Sequence, residues 1–343
     1  MSLSAQDQAQ SRQEPLNVML FSYAEIIGDG LYKIPFLRSL RAAWPHAHIT
    51  WLTSYGTVFS TTLKDIVAPF IDEFVQEPRI GTQGKLPNLM TLVRPLPMPR
   101  RYSIIIDTQG VVFRTLQVKR LPHDLFISAA ADFLFSDRRP PRGTKRPEHM
   151  VDRLMQLLRL AAGDVPLLTG GITVPPEIAA RAGRALPAGP VYVGFAPGAG
   201  QRVKCWPLER FIEVARMQAA RGRVPVFILG PAELEWWPVL REAVPEALFP
   251  EQRDDIWEGR FSPVNTIALA QRFRAALAND SGVSHMFGAA DTRLLTLYGP
   301  TGAEKFRPRV SRGLVLTAEA HGSREMSAIP VDEVARTLET LLD

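Results

Sequence analysis

At 343 residues the chain is longer than a single hydrophobic core usually organises, and 46% hydrophobic against 22% charged residues excludes a disordered protein. A formal charge of +5 favours an anionic partner, whether nucleic acid, phospholipid head groups or phosphorylated sugars. The single cysteine, Cys205, excludes an intrachain disulfide and a cysteine-rich zinc site, which fits a reducing cytoplasm.

Residues 1–16 are polar and lack an apolar core, so a frayed tail is expected there rather than a secretory signal or an anchor. No uninterrupted apolar run approaches the ~20 residues that span a bilayer, and any membrane contact would be peripheral. Residues 17–22 predict a buried strand that ends in a loop at 23–30. Over 31–43 apolar residues recur at helical spacing (Leu31, Ile34, Leu37, Leu40), and Trp44-Pro45 closes the helix. Strands follow at 47–52 and 103–107, the second ending in the turn Thr108-Gln109-Gly110. Residues 138–147, dense in Pro and Arg, interrupt the alternation; a helix at 148–161 leads through Gly- and Pro-rich sequence towards Pro190.

The second half repeats the pattern. Strands are predicted at 191–195, 224–229, 275–278 and 294–298, with helices at 207–218, from 284 to 290, and at 331–342. Strand, loop, helix and strand in both halves predict an α/β protein of two Rossmann-like domains, with parallel sheets facing a cleft. The expected division is 17–170, a linker at 171–189, a second domain at 190–330 and a closing helix at 331–343.

Four segments at predicted strand ends can carry chemistry, because ligands of α/β sheets gather at that edge. Gly28-Asp29-Gly30 places a sparsely covered carboxylate before a helix; its plainer role is a helix N-cap. These glycines do not have the G-x-G-x-x-G spacing of dinucleotide folds, which weakens an oxidoreductase reading. Gly198, Ala199 and Gly200, followed by Lys204, Trp206 and Pro207, offer backbone amides and an ammonium suited to a diphosphate, or form a plain strand-to-helix loop. Gly230 to Glu233 sets a carboxylate where ribose hydroxyls bind, or where it merely complements a helix dipole. Asp280, Ser281, Gly282, Val283, Ser284 and His285 combine small residues with a helix start, and His285 either donates to a phosphate or packs in the first turn.

In this order the segments resemble glycosyltransferase family 9, the ADP-heptose:lipopolysaccharide heptosyltransferases. The resemblance is carried by Gly28-Asp29, Pro35, Leu40-Arg41 and Trp44-Pro45, then by Asp107-Thr108-Gln109-Gly110. In the second half it is carried by Pro197-Gly198-Ala199 with Lys204 and Trp206-Pro207, by Gly230 to Glu233, and by Asp280 to His285 with Tyr298-Gly299-Pro300-Thr301. The first loop departs from the family's Ser-x-Gly-Asp, having Ile26-Ile27 before Gly28. Ala199 and Gly200 stand where many members have Ser or Thr.

The resemblance implies a GT-B fold that binds acceptor on the first half and donor on the second. It implies Asp29 as catalytic base. It also implies a nucleotide-sugar site of Gly198, Ala199, Gly200, Lys204, Glu233, Asp280, Ser281, Gly282, Val283, Ser284 and His285. The donor would be ADP-heptose or a related nucleotide sugar, with no metal and no further cofactor. An anionic glycolipid acceptor would be drawn to Arg94, Arg100, Arg101, Arg114, Lys119 and Arg120, most of which read equally as a solvated basic face. Such a protein would be cytoplasmic, with peripheral contact at the inner-membrane face and no nucleic acid partner. Rival readings are a nucleotide-sugar epimerase of related fold, a family 9 transferase with another donor and acceptor, a nucleic-acid-binding protein suggested only by charge, and a non-catalytic binding protein.

Overall fold

The computed structural model describes residues 16–81, 92–93, 96, 98 and 100–343. Its first sheet contains β1 (Asn17–Ser22), β2 (His48–Thr53), β3 (Glu73–Gln76), β4 (Tyr102–Asp107) and β5 (His123–Ser128). All five strands are parallel, in the order β3-β2-β1-β4-β5. Helices α1 (Ile27–Ala43), α2 (Lys64–Val67) and α3 (Val112–Val118) connect them, and α4 (Met150–Ala162) packs on β4, β5 and α1.

The second half runs α5 (Pro176–Ala185), β6 (Tyr192–Ala196), α6 (Leu208–Ala219), β7 (Val224–Phe227), α7 (Trp237–Ala243) and α8 (Asp254–Trp257). It continues with α9 (Pro263–Ala270), β8 (Phe273–Asn279), α10 (Gly282–Ala289), β9 (Leu294–Tyr298), β10 (Gly313–Thr317) and α11 (Val331–Leu342). Its sheet is also wholly parallel, in the order β10-β9-β8-β6-β7. Two parallel five-stranded sheets facing each other make this a GT-B fold.

Strands covered on both faces must be apolar almost throughout. Accordingly Val18 to Phe21 of β1 and Ala275 to Ala278 of β8 have no exposed surface. The covering helices are amphipathic: α4 buries Val151, Leu154, Met155, Leu158 and Ala161, and α11 buries Val334, Leu338, Leu341 and Leu342. The stretch 171–189, expected as a linker, contains α5, which packs on α8 and α9. Helix α11 packs on α6 and the second sheet.

Helix α1 starts four residues before the predicted position, so Gly28, Asp29 and Gly30 belong to its first turn. Glycine is required at position 30 because a Cβ there would stand 2.7 Å from Val58 Cγ2 and 3.1 Å from Leu63 Cδ1. What looked like a loop signal is a close helix contact. Pro35 sits inside the same helix, and Ser39 Oγ donates to its carbonyl at 3.0 Å.

In each sheet the chain reverses direction beside its first strand, at β1/β4 and at β6/β8. Loops leaving those neighbours diverge and open a crevice at their carboxyl ends. The two crevices meet because α1, leaving β1, packs on α10, leaving β8. Backbone bonds close the seam: Ile172 N–H to Ala289 O (2.9 Å) and Met150 N–H to Lys305 O (3.0 Å). His149, the N-cap of α4, bonds the Arg307 carbonyl at 2.8 Å, and Arg309 pairs with Asp152.

Candidate active site

A cavity of about 500 Å³ lies where the two crevices meet. The first half contributes Ile26, Gly28, Asp29 and Tyr32; the second contributes Lys204, Asp280, Ser281 and His285, with Gly200, Gln201, Gly282, Thr301, Gly302 and Phe306. Asp29 and Lys204 therefore face one space.

Asp29 occupies the third position of α1, whose N-cap is Ile26, so the N-cap expectation for Asp29 is overturned. Its carboxylate instead accepts from the Ile26 N–H. Partial burial is the largest influence on it and holds its pKa above the ordinary aspartate value, with Lys33 pulling it down and Glu25 pushing it up. A carboxylate of raised basicity beside a cavity is suited to accept a proton.

On the opposite wall Lys204 Nζ lies 2.9 Å from Asp280 Oδ2, and Thr301 Oγ1 donates to the same oxygen at 2.6 Å. Both elements converge because Asn279, fully buried at the end of β8, donates from Nδ2 to Pro197 O (2.7 Å) and accepts from Trp206 N–H (3.1 Å). Trp206 Nε1 also donates to Ile329 O at 3.0 Å. The Trp-Pro and Asn-Asp segments are thus one unit, and the glycine-rich loop passes beside it.

Ser281 caps α10 in a capping box with Ser284, which is buried with its Oγ donating to Ser281 O at 2.7 Å. The Ser284 hydroxyl, included in the expected nucleotide site, is thus spent inside the helix cap. Val283 and Ser284 do not line the cavity, while Ser281 and Gly282 do. His285 packs near Tyr32, with ring centroids 6.4 Å apart, and burial drives its pKa down to about 4. It is a neutral imidazole near pH 7.

Gly198, Ala199 and Glu233 stand beside this cavity rather than on its wall. Glu233 folds over the glycine loop so closely that a Cβ on Gly198 would lie 2.5 Å from its Cδ. Burial raises the pKa of Glu233. Glu251, half-buried next to it, accepts from Thr266 Oγ1 and is pushed to about 7, mainly by burial and further by the Glu233 charge.

The turn Asp107-Thr108-Gln109-Gly110 serves architecture. Buried Asp107 accepts from the amides of Gln109 (2.9 Å) and Gly110 (3.3 Å), from Ser128 Oγ (2.8 Å) and from Thr115 Oγ1. Gly110 takes a positive φ of 63° that a side chain would strain.

The expected basic acceptor set disperses. Arg101 pairs with Asp124 and Arg100 with Glu73, at the amino ends of their strands, opposite the cleft. Lys119, beyond the end of α3, is held by Phe135 O and Asp137, and neighbouring Arg120 donates to Val93 O. All four are removed from the cavity, Arg100 and Arg101 because they precede the amino end of β4, Lys119 and Arg120 because α3 carries the chain back to that edge. Arg114 stays at the carboxyl edge, stacked 3.4 Å from the Tyr23 ring centroid. Arg94 lies outside the described residues.

Unanticipated cations stand at the right edge instead. A second cavity of about 180 Å³ at the carboxyl ends of β4 and β5 is lined by Thr108, Gln109, Asp132, Arg146 and Arg153. An adjoining one of about 440 Å³ has Arg139 and Arg142 on its wall. Arg146 and Arg153 form no ion pair among the described residues; Arg153 donates to Pro147 O at 2.7 Å, and burial together with Arg146 lowers its pKa. Between the two cavities Ala131, Asp132 and Phe133 take positive φ values of 48°, 53° and 62°, a strained run of the kind that concentrates at binding sites. The Pro/Arg-rich segment had been legible only as an interruption. Tyr32, Gln201 and Phe306 were likewise missed, having no motif of their own.

Two wholly parallel sheets meeting at their carboxyl edges, with a carboxylate from one and a lysine and helix start from the other on one cavity, define a GT-B protein. The model of glycosyltransferase family 9 (heptosyltransferase) matches residues 98–328, and the chain belongs to that family. Lipooligosaccharide heptosyltransferase 2 of Haemophilus influenzae is 29% identical over 165 residues, 45% of this chain and 46% of that protein, so the match spans about half the length of that relative. Among solved structures, a family 9 glycosyltransferase from Veillonella parvula superposes with a TM-score of 0.70 at 22% identity, covering 95% of this chain and 97% of that one. E. coli heptosyltransferase WaaC with ADP superposes with a TM-score of 0.66 at 20% identity, covering 95% and 100%. E. coli ADP-heptose lps heptosyltransferase II gives 0.65 at 18%, covering 95% and 98%. These likenesses concern the fold. Among the described residues no helix is long and apolar enough to cross a membrane.

Proposed function

We propose that the protein is an inverting transferase that moves heptose, or a related sugar, from an ADP-sugar to an anionic lipopolysaccharide-core acceptor. The observation that carries this reading is the shared cavity, with Asp29 on one wall and Lys204, Ser281 and His285 on the other. Inversion requires a base on the face opposite the leaving group, and Asp29 stands opposite the second-half wall. Negative charge grows on the departing diphosphate, and fixed positive groups there lower the barrier. Lys204 and the amides of Gly200 and Gly282 supply them, and neutral His285 adds a donor. Asp280 orients Lys204 and accepts from sugar hydroxyls, while Glu233 and Gly198 border the ribose. Charge stabilisation in this reading needs no metal.

The acceptor is assigned to the cavities beside Thr108 and Gln109, where Arg146 and Arg153 form no ion pair among the described residues. The protein would act at the cytoplasmic face of the inner membrane, touching it peripherally through the acceptor. A direct test incubates the protein with ADP-heptose and a de-acylated core acceptor and follows ADP release. Release that depends on the acceptor is expected. Interconversion of donor sugars without acceptor would favour the epimerase reading, and binding without any ADP release would overturn transfer.

A further inference from the structure

Lys33 follows Asp29 by four residues on α1, a spacing at which an aspartate and a lysine face each other and ordinarily pair. They do not pair here. The Lys33 ammonium turns inward, 2.8 Å from Glu25 Oε1 and 3.1 Å from Ser22 Oγ, and sits 5.5 Å from the Trp51 ring centroid. Lys33 and Glu25 are both only 4% exposed. The receiving side is itself fixed. Trp51 Nε1 donates to Glu25 Oε2 at 3.4 Å, the Glu25 backbone bridges to Thr57, and Gln109 Nε2 donates to Ser22 Oγ at 3.3 Å. Asp29 meanwhile forms no ion pair among the described residues and faces the cavity.

We propose that Glu25 is a positioning residue: it draws the Lys33 ammonium into the core and so leaves the Asp29 carboxylate unpaired and directed at the acceptor. The proposal rests on the reading of Asp29 as base. A buried lysine left without its anion seeks the next carboxylate, because an uncompensated charge there is costly. In this fold the next carboxylate along the helix is Asp29. Glu25 thus keeps a cation close enough to hold Asp29 ionised, yet too well occupied to cover it.

The other groups facing this trio leave the two acids and the lysine to decide the titration. Tyr32 on α1 is pushed well above its ordinary range by burial and stays neutral, and His285 on α10 is neutral above about pH 4. Across the cavity Lys204 and Asp280 are paired with each other. From β2 comes only Trp51, and from the loop beyond it Thr57.

The test is a cycle of the variants E25Q, K33M and E25Q/K33M. The Asp29 carboxyl is followed by carbon NMR, its signal assigned with D29N, and kcat is measured across pH. In E25Q the Lys33 ammonium is expected to capture Asp29, lowering its titration midpoint by about 1–2 units and kcat by about tenfold or more. ADP binding should be unchanged. Adding K33M to E25Q is expected to restore both quantities, which a purely structural pair would not do. The proposal is overturned if E25Q leaves the midpoint and kcat at wild-type values, or if the double variant is no better than E25Q at equal folding. Should E25Q not fold, K33M compared with the double variant carries the test: the retained Glu25 anion must raise the Asp29 midpoint, and equal midpoints would refute it. Loss of activity in D29N together with an unaffected E25Q would sink this inference alone. Full activity in D29N would sink the base assignment, with the NMR midpoints still reporting on Lys33.

Discussion

Lys204 and Asp280, 76 positions apart, meet at 2.9 Å on the wall opposite Asp29. The lysine is therefore held in place by a carboxylate oxygen that Thr301 Oγ1 also bonds. A diphosphate in the cavity would share this ammonium with Asp280, and affinity would depend on both. Lys204→Met is expected to weaken ADP binding roughly 10- to 100-fold, the size of a lost charge-assisted hydrogen bond. Asp280→Asn should weaken it less, by misplacing Lys204. Calorimetry with ADP decides the matter: unchanged affinity in Lys204→Met removes the lysine from the phosphate role.

Asp29→Asn should lower kcat by roughly 10²–10⁴ while ADP affinity stays within about twofold. Because burial raises the Asp29 pKa, wild-type kcat should climb with pH through a midpoint above the ordinary aspartate range, as the carboxylate loses its proton. The climb should vanish in the residual activity of the variant. An unchanged pH profile would count against Asp29.

Gly198→Ala is expected to displace Glu233, since the added methyl would overlap its carboxyl group. ADP affinity should fall by about tenfold, with circular dichroism and melting behaviour near wild type. Wild-type affinity would show that Glu233 moves aside without consequence and does not border the nucleotide.

Arg146→Ala and Arg153→Ala should each raise the acceptor KM by about tenfold and make it less salt-dependent, leaving ADP binding alone. Arg101→Ala serves as the contrast, because its partner Asp124 lies at the opposite edge of the sheet. If Arg101→Ala impaired the acceptor KM as strongly as the other two, the location of the acceptor site would be wrong.

Glu251 has a folded-state pKa near 7, above the 4.5 of an ordinary glutamate. For a raised carboxyl the linkage runs one way: its contribution to stability is complete below about pH 4.5 and is lost as pH rises through about 7. Glu251→Gln keeps an acceptor for Thr266 and removes the half-buried charge. It should stabilise the protein at pH 8 relative to pH 5, by on the order of 1–3 kcal/mol. Parallel melting curves for variant and wild type across that pH range would refute this.

What the chain alone determined was the alternation of buried strands with amphipathic helices, because burial on two faces or on one stripe leaves a period in the sequence. Strand 294–298 and helix 331–342 match the structure residue for residue. The short strands β3, β5 and β10 escaped because they are partly exposed or flanked by charge, which blurs the apolar run. The resemblance of the ordered motifs to family 9 was also legible, since most of them follow a strand's carboxyl end, while Leu40-Arg41 and Trp44-Pro45 close helix α1.

Only the tertiary structure decided which of those residues share a space. Periodicity cannot say that Gly30 is small for Val58's sake, that Ser284 turns inward, or that Lys33 chooses Glu25 over Asp29. Nor can it say that Arg101 finds Asp124 at the wrong edge while Arg146 and Arg153 stand beside Gln109. Charged side chains settle on partners brought near by strand order and helix packing, and those contacts span distances along the chain that no local pattern records.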